Sequence, residues 1–197
     1  KPSALSFAEA ACLPTAWLTA YRMLFTRGDL QPGETVLIQG TGGGVASAAI
    51  ALARHAGARV WATTRDKAAF GRDLGAHAVF ESGAKLPHRV DLVIETVGRA
   101  TWSHSIRSLR PGGRLVVSGA TTGGQPPADL NHVFFRQLSV IGSTMGTATE
   151  LRRLIDMCEA TGLRPTIDAE FPLEQARSAF ERLAAGDVRG KLVLTMR

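Results

Sequence analysis

Residues 35–56 read Thr35-Val36-Leu37-Ile38-Gln39-Gly40-Thr41-Gly42-Gly43-Gly44-Val45-Ala46-Ser47-Ala48-Ala49-Ile50-Ala51-Leu52-Ala53-Arg54-His55-Ala56. This stretch decides the fold. Thr35–Ile38 is a β-branched run that predicts a strand. Val45, Ala48, Ala49, Leu52, Ala53 and Ala56 recur at helical spacing, as a small-residue face that can lie close on a sheet. Gly57 stands where a glycine ends such a helix, and Arg59–Thr63 predicts a second strand. The result is a βαβ unit of about thirty residues. Glycines at its turn let the backbone bend tightly and approach a pyrophosphate. The helix start then offers free N–H groups and a positive dipole end to that anion. The stretch therefore predicts a dinucleotide site and redox chemistry.

The end of the second strand reports on the ribose. An acidic residue there would hold the 2′-hydroxyl of NAD. This chain has Thr63-Thr64-Arg65, then Asp66 and Lys67. Two hydroxyls and two cations suit a 2′-phosphate, so NADP(H) is the expected cofactor. Asp66 keeps NAD(H) open, because a one-residue shift would place it at the strand end.

Outward from this unit, the pattern predicts an α/β domain. Two N-terminal helices separated at Pro14 precede it. Further strands are expected at Ala78–Phe80, Asp91–Glu95, Arg114–Ser118 and Gln137–Gly142. Helices are expected at Lys67–Leu74, Thr101–Leu109 and Ala148–Thr161. Residues 81–90 read as a polar connection with no helical pattern. The tail changes character, with a strand at Thr166–Phe171, a helix at Leu173–Ala185 and a strand at Lys191–Met196. These have no place in a six-stranded parallel sheet.

Of the 197 residues, 45% are hydrophobic and 20% charged, which suits one globular domain with a substantial core. No apolar run approaches the ~20 residues of a membrane-spanning helix, and the N-terminus lacks a signal-peptide core. Cys12 and Cys158 make neither a disulfide framework nor a zinc spacing. A cytoplasmic location without membrane partners is expected. The net charge is +6, but the basic residues are scattered and not interleaved with aromatics. That argues against nucleic acid and for attraction of anionic ligands.

Six segments together resemble the medium-chain dehydrogenase/reductase superfamily, in its zinc-binding dehydrogenase or quinone-oxidoreductase-like group. They are LSFAEAACLPTAWLTAYRML, LQPGETVLIQGTGGGVASAAIALA, DLVIETVG, SLRPGGRLVVSGATTG, FFRQLSVIGSTMG and GKLVLTMR, in that order. The resemblance implies a Rossmann doubly wound, six-stranded parallel sheet with helices on both faces. It implies linker helices over 1–30, an NAD(P)-binding domain over 31–162, and a segment over 163–197 that returns to a GroES-like catalytic domain preceding this chain. Alone, the chain would bind cofactor without turnover.

The resemblance also implies site residues. Gly40, Gly43 and Ala46 match the glycine-loop spacing, and Gly42, Gly44 and Val45 complete the pyrophosphate path. Thr63, Thr64, Arg65 and Lys67 would face the adenosine ribose, Thr96 and Val97 the cofactor ribose, and Gly119, Ala120 and Thr121 the nicotinamide. Ser143, Thr144 and Met145 would flank nicotinamide and substrate, and Lys191 would reach the pyrophosphate. The third zinc ligand of zinc-containing relatives falls at Thr15, a poor ligand, with Cys12 three residues earlier, so no zinc is expected within this chain.

The implied activity is hydride transfer between nicotinamide and a carbonyl, quinone or activated alkene on a small-molecule substrate. No acid–base pair stands out among His55, His77, His88, His104 and His132. A non-catalytic nucleotide-binding or interaction module is the alternative. An S-adenosylmethionine methyltransferase would want an acidic residue at the second strand's end and leaves the terminal segments unexplained. A homodimer through the sixth strand is expected, with Val140-Ile141 and nearby Phe134-Phe135 as its surface.

Overall fold

A computed structural model describes residues 1–196; Arg197, the last residue of the expected tail segment, lies outside them. The chain opens with a helical run made of α1 (Phe7–Ala11), a π-helical stretch Leu13–Trp17, α2 (Leu18–Tyr21) and a second π-helical stretch Arg22–Arg27. Ser6 and Glu9 close a capping box at its start. The expected break at Pro14 does not occur. Pro14 sits in the first turn of the widened stretch, where a missing N–H disturbs least.

The central domain then follows as β1 (Thr35–Gln39), α3 (Gly44–His55), β2 (Arg59–Thr64), α4 (Ala68–Asp73), β3 (Ala78–Glu81), β4 (Val90–Glu95), α5 (Arg99–Ser108), β5 (Leu109–Val117), α6 (Leu130–Phe135), β6 (Ser139–Gly142) and α7 (Ala148–Thr161). The six strands lie in the order β3-β2-β1-β4-β5-β6, and every pairing is parallel. This is the doubly wound sheet expected, with the order reversing between β1 and β4.

Both faces are covered because side chains alternate along each strand. Val36, Ile38, Val60, Ala62, Leu92, Ile94 and Val116 bury against the N-terminal helices, α3 and α7. Leu37, Trp61, Val93 and Leu115 point the other way, against Ile106, Leu109 and Leu138. Ala48, Ala49 and Ala53 of α3 are fully buried, so the small-residue face does bring the helix close to the sheet.

Two elements differ from expectation. Helix α5 stops at Ser108, and β5 begins at Leu109 rather than Arg114, because Leu109 pairs with Val90 and Arg114 with Leu92. Arg110–Gly113 bulges out between these pairs. Helix α6 has no signal in the sequence, since none of its residues is buried. Asp129 starts it from a left-handed conformation (φ 41°) and caps His132 N.

The tail forms its own two-stranded parallel sheet from β7 (Ile167–Pro172) and β8 (Lys191–Thr195), connected through Leu173–Gln175 and α8 (Ala176–Ala185). Gly190 joins the two units. Its φ is +103°, and a Cβ there would lie 2.4 Å from the Thr166 carbonyl oxygen.

Helix α7 is tied to the N-terminal helices by a part-buried ion pair, Arg22 Nη1 to Glu150 Oε2 at 2.6 Å. Burial alone would raise the Glu150 pKa. Hydrogen bonds outweigh it and hold the carboxyl at about 2, against an ordinary 4.5. Thr147 N–H donates at 2.7 Å and Arg22 donates as well. The Thr26 hydroxyl adds to the lowering, although Oε1 has no fully formed partner. A depressed carboxylate stabilises the fold above its unfolded value and loses that contribution as pH falls toward its folded value. The unfolding free energy from urea titration should therefore drop between pH 4.5 and about 2, by up to about 3 kcal/mol from this group. Glu150→Gln should be less stable at pH 7 and should flatten that part of the profile.

Candidate functional site

The glycine loop leaves β1 at Gln39. Gly40 turns with φ +92°, and Gly43 stands as an extended N-cap to α3 without any side-chain cap. The first N–H groups of α3 therefore face outward with the positive end of the helix dipole behind them. A Cβ added at Gly40 or Gly43 meets nothing within 4 Å, so space is open above the loop. Two lysines bound that space. A Cβ at Gly42 would lie 3.2 Å from Lys67 Nζ, and one at Gly44 would lie 3.6 Å from Lys191 Nζ. Gly190 N–H donates to Gly42 O at 2.9 Å, so the tail is laced directly to the loop.

The strand-end residues are engaged within the chain. Lys67, expected at the adenosine ribose, donates from Nζ to Gly186 O at 2.7 Å and Val188 O at 2.9 Å. The carbonyls that end α8 attract a cation, and they draw the ammonium over Gly42. Thr63 is 1% exposed; its hydroxyl donates to Gln39 Oε1 at 2.6 Å and accepts from Gly40 N–H at 3.3 Å. Thr64 Oγ1 accepts from Lys67 N–H at 3.0 Å and from Thr41 Oγ1 at 3.2 Å. Both hydroxyls shape the turn. Arg65 and Asp66 are exposed, which leaves Arg65 as the cation at the strand end.

Beneath the loop lies a polar network absent from the sequence reading. Glu95, fully buried at the end of β4, accepts at Oε1 from Val97 N–H (2.7 Å), Gly98 N–H (3.0 Å) and Thr101 Oγ1 (2.9 Å). Its Oε2 accepts from Ser105 Oγ at 2.6 Å. Gln39 Nε2 donates to Ser105 Oγ and to His104 Nδ1, each at 2.9 Å. His104 thus carries its proton on Nε2, assigned from these partners, and donates it to Ala84 O at 2.9 Å. An acidic residue closing an otherwise apolar strand was the available signal, because a buried carboxylate needs donors.

The loops after β4 and β5 interlock. Val97 O accepts from Thr122 N and Oγ1, both at 2.8 Å. A Cβ on Gly119 would lie 2.9 Å from Thr96 O, and one on Gly98 would lie 2.8 Å from Ala120 Cα. This brings Thr96, Val97, Gly119, Ala120 and Thr121 together at the carboxyl ends of the strands. Ser143 N–H donates to Val117 O at 2.8 Å, placing Ser143 beside them. Ser143 Oγ is buried without a hydrogen-bond partner among the described residues, next to exposed Thr144 and Met145. Open space over the loop, two flanking ammonium groups and an unpartnered hydroxyl fit a long anionic cofactor.

Zinc fares otherwise. Cys12 is buried, burial pushes its thiol up, and Sγ donates to Ala8 O at 3.3 Å. Thr15 is exposed. Among the described residues no three His, Cys, Asp or Glu side chains come together as a metal site.

An open parallel sheet with a glycine loop at its switch point defines the dinucleotide-binding class of α/β folds. Residues 74–194 match the family model described as zinc-binding dehydrogenase. The chain belongs to the zinc-binding dehydrogenase family, within the medium-chain dehydrogenase/reductase superfamily. It is similar to quinone oxidoreductase of Mus musculus, at 30% identity over 99% of this chain and 65% of that protein. It is also similar to the spectinabilin polyketide synthase system protein NorB of Streptomyces orinoci, at 35% identity over 99% of this chain and 10% of that protein. Among solved structures, an NAD-dependent alcohol dehydrogenase superposes with TM-score 0.91 at 34% identity, over 99% of this chain and 60% of that one. The 2-octenoyl-CoA carboxylase reductase CinF, in complex with NADP and 2-octenoyl-CoA, gives 0.94 at 26% identity, over 100% and 51%. The chain thus spans less than two thirds of the length of each.

Glu95→Ala would strand four donors in the interior. Buried groups that lose a charged partner cost several kcal/mol. The variant should lose about 3 kcal/mol of stability in urea unfolding, and an unchanged midpoint would remove Glu95 from this role.

Proposed function

We propose that this chain is the cofactor-binding part of an NADP(H)-preferring oxidoreductase, with 1–30 and 163–197 as segments that reach a separate catalytic domain and 31–162 as the NADP(H) domain. The observation that carries this reading is the open glycine loop at the start of α3 with Lys191 over Gly44. When bound, the nicotinamide supplies hydride transfer to or from a carbonyl, quinone or activated alkene. The chain's own residues bind and orient. The α3 N–H groups, Lys67 and Lys191 hold the pyrophosphate. Thr96, Val97, Gly119, Ala120 and Thr121 form the floor for ribose and nicotinamide, and Ser143 Oγ gains a hydrogen-bond partner, with Thr144 and Met145 toward the substrate. The NADP in the CinF structure and the name of the mouse relative support this choice of chemistry. No step is assigned to zinc.

Arg65 is the residue that favours NADPH over NADH, because a guanidinium matches a phosphate. Tryptophan-fluorescence titration should show NADPH binding more tightly than NADH. Arg65→Ala should weaken NADPH about tenfold, equivalent to 1.4 kcal/mol, and leave NADH within twofold. Tighter binding of NADH by the unaltered chain would overturn the preference, and no binding of either at millimolar levels would overturn the cofactor reading.

Strand β6 is the sheet's edge, and an unpaired edge invites a second strand. Val140 is 46% exposed, with Phe134 and Phe135 also exposed. This supports a homodimer through β6. Val140→Lys should convert it to a monomer in light scattering, and a monomeric unaltered chain would refute the pairing.

A further inference from the structure

The β3–β4 connection carries no helix, and this leaves a groove beside α5. The groove is a cleft of about 570 Å³ between residues 83–89 and α5, within the range of small-molecule sites. It lies against the sheet face opposite α3 and is separate from the glycine loop.

We infer that this cleft is a binding site for a small polyphosphate anion, recognised by Lys85, Arg89 and Arg107 with His88, Ser103 and His104 in its walls. Its lining contains no Asp or Glu. Arg110 and Arg114, on β5, are paired with Asp91 and Glu34. Lys85, Arg89 and Arg107 form no carboxylate pair among the described residues. Three cations gathered without counter-charge repel one another, and a multiply charged anion relieves that repulsion.

Arg89 is held in place for the task. Its Nη1 donates to the Arg107 carbonyl and, at 3.2 Å, to the Leu109 carbonyl. These bonds cover the negative end of α5 and orient the guanidinium. The positive field reaches beyond the cleft. His132 is lowered first by burial, then by Arg136, Arg89 and Arg107, with Asp129 alone opposing. His88, in the wall, packs against Trp61 with ring centroids 4.3 Å apart and planes tilted by 54°, so a fluorophore lies behind one wall. Guanidinium forks favour phosphate, with its clustered acceptor oxygens, over a lone carboxylate.

The test is titration of the full chain with sodium tripolyphosphate, followed by calorimetry and by Trp61 fluorescence. Lys85→Gln/Arg107→Gln removes two exposed cations whose side chains make no hydrogen bond among the described residues, and its thermal midpoint checks folding. The expected result is a binding component that the double variant weakens at least tenfold and Lys191→Ala weakens less than twofold, any second component lost in Lys191→Ala being the glycine loop. Loss of binding in Lys191→Ala with the double variant unaffected would put the anion at the glycine loop and overturn the proposal. Equal affinity for inorganic phosphate would overturn it as adventitious single-anion binding. Polyglutamate binding without tripolyphosphate binding would overturn it in favour of an acidic protein surface, and so would the absence of any binding at millimolar concentration.

Discussion

A carboxylate buried at the end of β4 holds the carboxyl end of the sheet together. Glu95 gathers the first turn of α5, two backbone amides of the following loop and, through Ser105, the Gln39 carboxamide. Gln39 in turn accepts from Thr63, which accepts from Gly40. Strands β4, β1 and β2 are therefore joined side chain to side chain just below the place where the glycine loop departs. A charge without water is tolerated only when its acceptor sites are filled. The loop geometry that opens the cradle is thus the same geometry that satisfies the carboxylate.

Positive charge is then distributed by backbone rather than by carboxylate partners. Lys67 is held by carbonyls of the tail, and Arg89 by carbonyls at the end of α5. A cation bonded to neutral dipoles keeps its full charge for an incoming anion, whereas one in an ion pair does not. The carboxylate-paired arginines, such as Arg22 with Glu150 and Arg114 with Glu34, lie where the chain needs cohesion.

The sheet was legible in the sequence because its strands carry local signals. Leu92, Val93 and Ile94 form an apolar run, and the residues 35–56 encode strand, turn and helix in one stretch. What escaped detection depends on partners far along the chain. Lys67 sits at a strand end in sequence, yet its position is set by carbonyls 119 and 121 residues away. Thr63 and Thr64 carry strand-end hydroxyls, and their bonds with Gln39 and Thr41 are made across the turn. Helix α6 has no fully buried residue and packs only Val133 against the core, so it leaves no periodic trace. The bulge in β5 follows from its register with β4, which no single segment contains. The family's name suggests a metal, and among the described residues no cluster of three His, Cys, Asp or Glu side chains forms.

The hydrogen bond from Gly190 to Gly42 has a consequence in time. A ribosome making this chain releases the glycine loop before the tail that borders it. The loop's outer wall, Lys191 together with the carbonyls that hold Lys67, follows only after the whole six-stranded sheet has been made. The nascent chain therefore passes through a stage in which the loop lacks its outer wall. The cradle closes only when the tail arrives.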